Sequence, residues 1–86
     1  MIFEWSTRFQ RAYRKLTADQ KERIRGALRR FAEDPRHPSL RVKKLKGAED
    51  IWEARASDEL RFTFEPIEGG IRLRMVGHHD PTLRAP

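Results

Sequence analysis

Apolar residues recur along the chain with two different periods, and the change of period divides it in two. Ile2 to Trp5 is a short apolar, β-prone run and reads as a first strand. Ser6 or Thr7 can cap a first helix, in which Phe9, Ala12, Tyr13 and Leu16 fall at i, i+3, i+4 and i+7 on one face. Thr17-Ala18-Asp19-Gln20 is a capping-box pattern that opens a second helix running to about Glu33. Ile24, Ala27, Leu28, Phe31 and Ala32 supply its buried face. Asp34-Pro35 stops it, because the residue before proline is pushed out of the α region. The linker between the two helices is short, so an antiparallel hairpin is expected.

Beyond Pro38 the period falls to two. Leu40, Val42 and Leu45 mark a basic strand that breaks at Gly47, and Ile51 to Ala56 a third strand. Ser57-Asp58-Glu59 turns the chain. Leu60, Phe62 and Phe64 alternate with Arg61, Thr63 and Glu65 in a fourth strand, and Glu68-Gly69-Gly70 signals a hairpin. Ile71, Leu73 and Met75 then alternate with Arg72, Arg74 and Val76 in a fifth. The order β-α-α-β-β-β-β predicts an α+β fold, a helical hairpin packed on one face of a mostly antiparallel twisted sheet. The 86 residues are expected to form one small domain with a thin core, and Trp5 and Trp52 to pack in it or at its edge.

Charge adds a partner class. Nineteen Lys and Arg against thirteen Asp and Glu leave +6, and a basic excess on such a domain points to a polyanion. Fourteen of the nineteen are arginine, whose planar fork suits phosphate. Pro35 to Gly47 holds five bases, Lys43, Lys44 and Lys46 among them, and no acid. That stretch reads equally as a nucleic-acid contact or as a solvated edge strand whose lysines discourage edge pairing. Cysteine is absent, which excludes disulfides, thiolate chemistry and Cys-based zinc sites and permits a reducing compartment. No apolar run approaches the roughly 20 residues of a membrane span, and no secretory signal is expected.

A sheet covered on one side leaves an open face. If Trp52 and Ala54 point to the core, Glu53 and Arg55 share the open face with Arg61, Arg72 and Arg74. His78, His79 and Asp80 follow the last strand. Four guanidinium groups around one carboxylate, with imidazoles alongside, suit RNA phosphate and proton transfer during attack of a ribose 2′-OH. The plainer reading is that Arg61 pairs with Glu53 across the strands and the histidines merely finish a strand. Adjacent residues of an extended chain point apart, so His78 and His79 do not readily share a metal ion; no metal and no cofactor are expected.

The stretches Phe9-Gln10-Arg11-Ala12-Tyr13-Arg14-Lys15-Leu16, Asp34-Pro35-Arg36-His37-Pro38, Lys44-Leu45-Lys46-Gly47, Ile51-Trp52-Glu53-Ala54-Arg55, Leu60-Arg61-Phe62 and Val76-Gly77-His78-His79-Asp80 together resemble the RelE/ParE superfamily of type II toxin–antitoxin toxins. They cover nearly the whole chain in the family's order. The resemblance implies the fold already read, a cytoplasmic location, a cognate antitoxin as partner and no cofactor. The RelE-like branch cleaves mRNA, commonly on the ribosome, by metal-independent 2′-OH attack, whereas the ParE-like branch poisons DNA gyrase without a comparable nuclease site. A third possibility is a remnant of the fold that only binds antitoxin or RNA. By the resemblance, Arg61 is the phosphate-binding arginine, Arg55 and Glu53 share its face, and His79 is an acid or phosphate stabiliser. The expected RNA contacts are Lys43, Lys44 and Lys46 from the basic segment, Arg72 and Arg74 from the open face, and His78, which matches a less diagnostic family position. Leu83 stands about where several active members carry an aromatic, and it can neither stack on a base nor donate a hydrogen bond. Oligomeric state is left open.

Overall fold

The structure is a computed structural model that describes residues 1–47, 49–78, 82 and 84–86. Strand β1 (Ile2–Trp5) leads into helices α1 (Thr7–Arg14) and α2 (Ala18–Glu33). A 3-10 turn over Pro38–Leu40 comes next, then strands β2 (Lys43–Lys44), β3 (Trp52–Arg55), β4 (Leu60–Ile67) and β5 (Gly70–His78). The five strands form one sheet in the order β1-β5-β4-β3-β2. β1 runs parallel to β5, and every other pair is antiparallel.

Local chemistry sets the helix boundaries. The Ser6 hydroxyl accepts from the Phe9 amide at 3.1 Å and starts α1. At α2 both halves of the capping box close, the Thr17 hydroxyl accepting from the Gln20 amide (3.1 Å) and the Gln20 side chain accepting from the Thr17 amide (2.9 Å). Asp34, before Pro35, is extended (φ −151°) and ends the helix. Phe9, Ile24, Ala27, Leu28 and Phe31 pack on Ala54, Leu60, Phe62, Phe64, Ile71, Leu73 and Val76, so both helices cover the same side of the sheet. Trp5 meets Phe9 and Tyr13 edge-on at 4.9 Å each, which fastens β1 to α1.

Several expectations are corrected. Ala32 is exposed rather than core, and the buried stripe of α2 is Ile24, Ala27, Leu28 and Phe31. Leu40 is buried but belongs to the 3-10 turn, and the basic strand shrinks to Lys43–Lys44, because Pro38 nucleates a turn ahead of it. Met75 does not share the core phase of Ile71 and Leu73. Thr63 pairs with Met75 and Phe64 with Leu73, so Arg74 is an extra residue, a β-bulge. Beyond it the alternation flips, and Val76 takes the core position, 2% exposed.

Candidate functional site: the sheet face opposite the helices

Cross-strand pairing sorts the open face into rows, since directly opposed residues point the same way. At one end Glu4, Arg72 and Glu65 lie side by side. In the middle run Met75, Thr63, Glu53 and Lys43. At the other end Gly77, Arg61 and Arg55 form a row. Glu53, Arg55, Arg61 and Arg72 therefore belong to one side of the sheet, as the alternation predicts, and Arg74, the bulged residue, joins them through its ion pair with Glu65.

The environment differs from the expected wet, basic platform. Glu53 is 3% exposed, with Arg61 Nε at 3.8 Å and Lys43 Nζ at 3.9 Å from its Oε1. Its Oε2 is buried without a hydrogen-bond partner among the described residues. The Arg61 side chain is only 13% exposed. Its Nη1 donates to the carbonyls of Ser57 (2.6 Å), Asp58 (3.0 Å) and Leu60 (3.3 Å), tying the guanidinium to the β3–β4 turn. Arg55 is drawn to the same turn, its Nε donating to the Ser57 carbonyl at 3.3 Å and its Nη2 pairing with Asp58. The residues expected to clamp phosphate thus clamp a loop.

Arg72 and Arg74, assigned to RNA contact, converge on Glu65 at 3.0 and 3.3 Å, and Arg72 also meets Glu4 at 2.6 Å. The hydrogen bond from Arg72, with help from Arg74, holds the Glu65 carboxyl below the usual carboxylate range. The bond to Glu4, then that to Glu65, pushes the Arg72 guanidinium still higher. These arginines form an ion-pair network rather than free phosphate forks. Lys43, Lys44 and Lys46 are exposed at the β2 edge; Lys43 is on the open face and Lys44 in the Trp52 row behind it.

His78 departs from its expected place. It pairs with the buried Leu60, so it is exposed on the helix side and lines a cleft with Asp19, Gln20 and Arg23 of α2. The reason is again the bulge at Arg74, which resets the phase of the strand end. His79, Asp80 and Leu83 lie outside the described residues.

Sequence reasoning missed a cover over part of the face. The Pro86 carbonyl accepts from the Thr63 hydroxyl at 2.9 Å and from Arg74 Nε at 3.2 Å, bringing residues 85–86 across the middle row. Thr82 is fully buried, its hydroxyl 3.2 Å from where a Cβ on Gly77 would sit. A threonine inside a strand of aromatics and Gly77 at a strand end were the only signals, and both were ambiguous. Among the described residues no cluster of three His, Cys, Asp or Glu is placed to hold a metal ion, and no helix is long and apolar enough to cross a membrane.

No family model matches the sequence, and no curated relative matches it. Solved structures do. A YoeB/ParE toxin from Agrobacterium tumefaciens superposes with a TM-score of 0.75 at 21% identity, over 92% of this chain and 99% of that one. YafQ from Escherichia coli gives 0.77 at 10% identity over 93% and 94%. The intact E. coli RelBE toxin–antitoxin complex gives 0.69 at 22% identity over 92% and 96%. With its helical hairpin on one side of a five-stranded sheet and its arginines on the other, the chain has the fold of the RelE, YoeB and YafQ toxins.

Proposed function

We propose that this chain is the toxin of a type II toxin–antitoxin system, that it cleaves mRNA, and that a cognate antitoxin restrains it. The observation that carries the reading is a guanidinium 3.8 Å from a buried carboxylate, Arg61 beside Glu53, on the sheet face opposite α1 and α2 in a fold shared with such toxins. Glu53 Oε2 has no hydrogen-bond partner among the described residues and, once RNA displaces the groups that bury it, accepts the proton of a ribose 2′-OH. The 2′-oxygen then bonds to phosphorus, the bond to the 5′-oxygen breaks, and a 2′,3′-cyclic phosphate and a 5′-hydroxyl result. Arg61 and Arg55, released from the turn carbonyls by the stronger anion, stabilise the charge on the pentacoordinate phosphate. His79 supplies the proton to the leaving 5′-oxygen. This sequence needs no metal ion, and the ribosome can supply groups that so small a site lacks.

Inducible expression followed by mapping of mRNA 5′ ends, with and without the neighbouring small open reading frame, tests the proposal. New 5′ ends that vanish in Glu53→Gln and on co-expression of the antitoxin are expected. Gyrase-dependent DNA breaks with intact mRNA would instead assign the chain to the gyrase-poisoning mode. Unchanged growth and translation would leave a fold without toxin activity.

A further inference from the structure

The arginines of the open face all have anionic partners: Arg55 has Asp58, Arg61 has Glu53, Arg72 has Glu4 and Glu65, and Arg74 has Glu65. The unneutralised charge is elsewhere. Strand β1 pairs with β5 only as far as Leu73, so the edge of Met75–His78 is left beside α1. A groove of about 660 Å³ runs there between helix and strand. Arg8 and Arg11 of α1 and Lys15 at its C-cap line it, with His78 at its end and no acidic residue in its walls among the described residues. All three basic side chains are exposed, and none forms an ion pair among the described residues. At i, i+3 and i+7 they stand in a row spanning about 10 Å of the helix axis.

The groove shares strand β5 with the nuclease candidate. Its strand wall includes Gly77, and Gly77 begins the open-face row that continues to Arg61 and Arg55. Thr82 fills the space beside Gly77, so the rim between groove and open face is made by the C-terminal residues. Arg8 already donates there to a backbone carbonyl, that of Ala85, as it would to a phosphate oxygen.

We infer that the groove between α1 and the edge of β5 beyond Leu73 is the track along which single-stranded RNA approaches the open face, its phosphates on Arg8, Arg11 and Lys15. This deepens the nuclease reading and rests on it. The occupant is a phosphodiester strand because a row of cations on one wall can hold its phosphates while Ala12, Leu16, Met75 and Val76 offer apolar surface to its bases. The open face contributes chemistry to a strand delivered from this side. The basic face of α1, which alone reads as a solvated helix surface, becomes the principal electrostatic contact.

The test is fluorescence anisotropy of the full chain with a short mixed-sequence RNA bearing 2′-O-methyl riboses, which binds but cannot be cleaved, between about 50 and 200 mM salt. Arg11→Ala/Lys15→Ala should weaken binding about tenfold and lower the salt slope by about 1.4, since each phosphate contact contributes about 0.7 on a single strand. Arg14→Ala/Arg36→Ala removes the same charge from outside the groove and should leave most of the slope intact. Alanine favours the helix at position 11, so circular dichroism should stay unchanged. Equal losses in the two double variants would overturn the track while leaving the nuclease reading standing. Failure of the unaltered chain to bind RNA at all would overturn both. If Arg11→Ala/Lys15→Ala lost binding to polyglutamate but kept its affinity for RNA, the groove would be a protein-docking site and the inference would fail.

Discussion

Replacing Arg61 should damage the fold as well as the chemistry. Its Nη1 carries two hydrogens shared among three turn carbonyls, so at most two good hydrogen bonds are lost. A charge-assisted bond contributes about 1.5–3 kcal/mol net in a buried setting. The variant also strips Glu53, 3% exposed, of its nearer cation, leaving Lys43 at 3.9 Å as the remaining one among the described residues. Stranding one member of a fully buried pair costs about 3–5 kcal/mol; Lys43 and the residual exposure of Arg61 reduce that, and the two losses overlap. About 2–4 kcal/mol of destabilisation is expected for Arg61→Ala, or a fall in Tm of roughly 10–25 °C for a domain this small. Urea unfolding of Arg61→Ala, Glu53→Gln and the double variant closes a cycle. If the buried carboxylate drives the cost, Arg61→Ala should lose about 1 kcal/mol or more of its effect in the Glu53→Gln background. Arg61→Lys keeps the charge but cannot both hold the turn and flank Glu53, so it should fall between. RNA cleavage must then be assayed well below the variant's Tm, where it should still be lost. A destabilisation under about 0.5 kcal/mol would refute the structural role of the guanidinium, and full cleavage by folded Arg61→Ala would refute the catalytic one.

Glu65→Gln should flatten the acid limb of the stability curve. The folded carboxyl titrates below its unfolded value, so its contribution is complete above the ordinary carboxylate range and is lost as pH falls through the depressed value; thermal melts from pH 7 to about 3 should show the unaltered chain losing more than the variant. Thr17→Ala removes one half of the α2 capping box and should cost about 1 kcal/mol in urea unfolding, with an unchanged midpoint counting against the cap. Gly70→Ala would drive a Cβ into the Ile2 carbonyl, where β1 and β5 run parallel; a loss of about 1–3 kcal/mol and faster amide exchange over Ile2–Trp5 are expected, and an unperturbed β1 would show that the strands separate easily.

The element order, the helix starts and the assignment of Glu53, Arg55, Arg61 and Arg72 to one sheet face were determined by the sequence alone. Capping and alternation act over a few neighbouring residues, so a chain carries them without knowing its fold. Tertiary structure decided what those residues meet. The bulge at Arg74 comes from fitting β5 to β4, and it alone moved Met75 off the core and His78 to the helix side. The buried state of Glu53, the capture of Arg55 and Arg61 by the β3–β4 turn, and the arrival of Pro86 over Thr63 depend on side chains competing for partners far apart in the chain. An arginine takes the best acceptor within reach, and which acceptor that is exists only once the strands have paired. For the same reason the charge on α1 counted as ordinary helix surface until the strand edge beside it turned that surface into a groove.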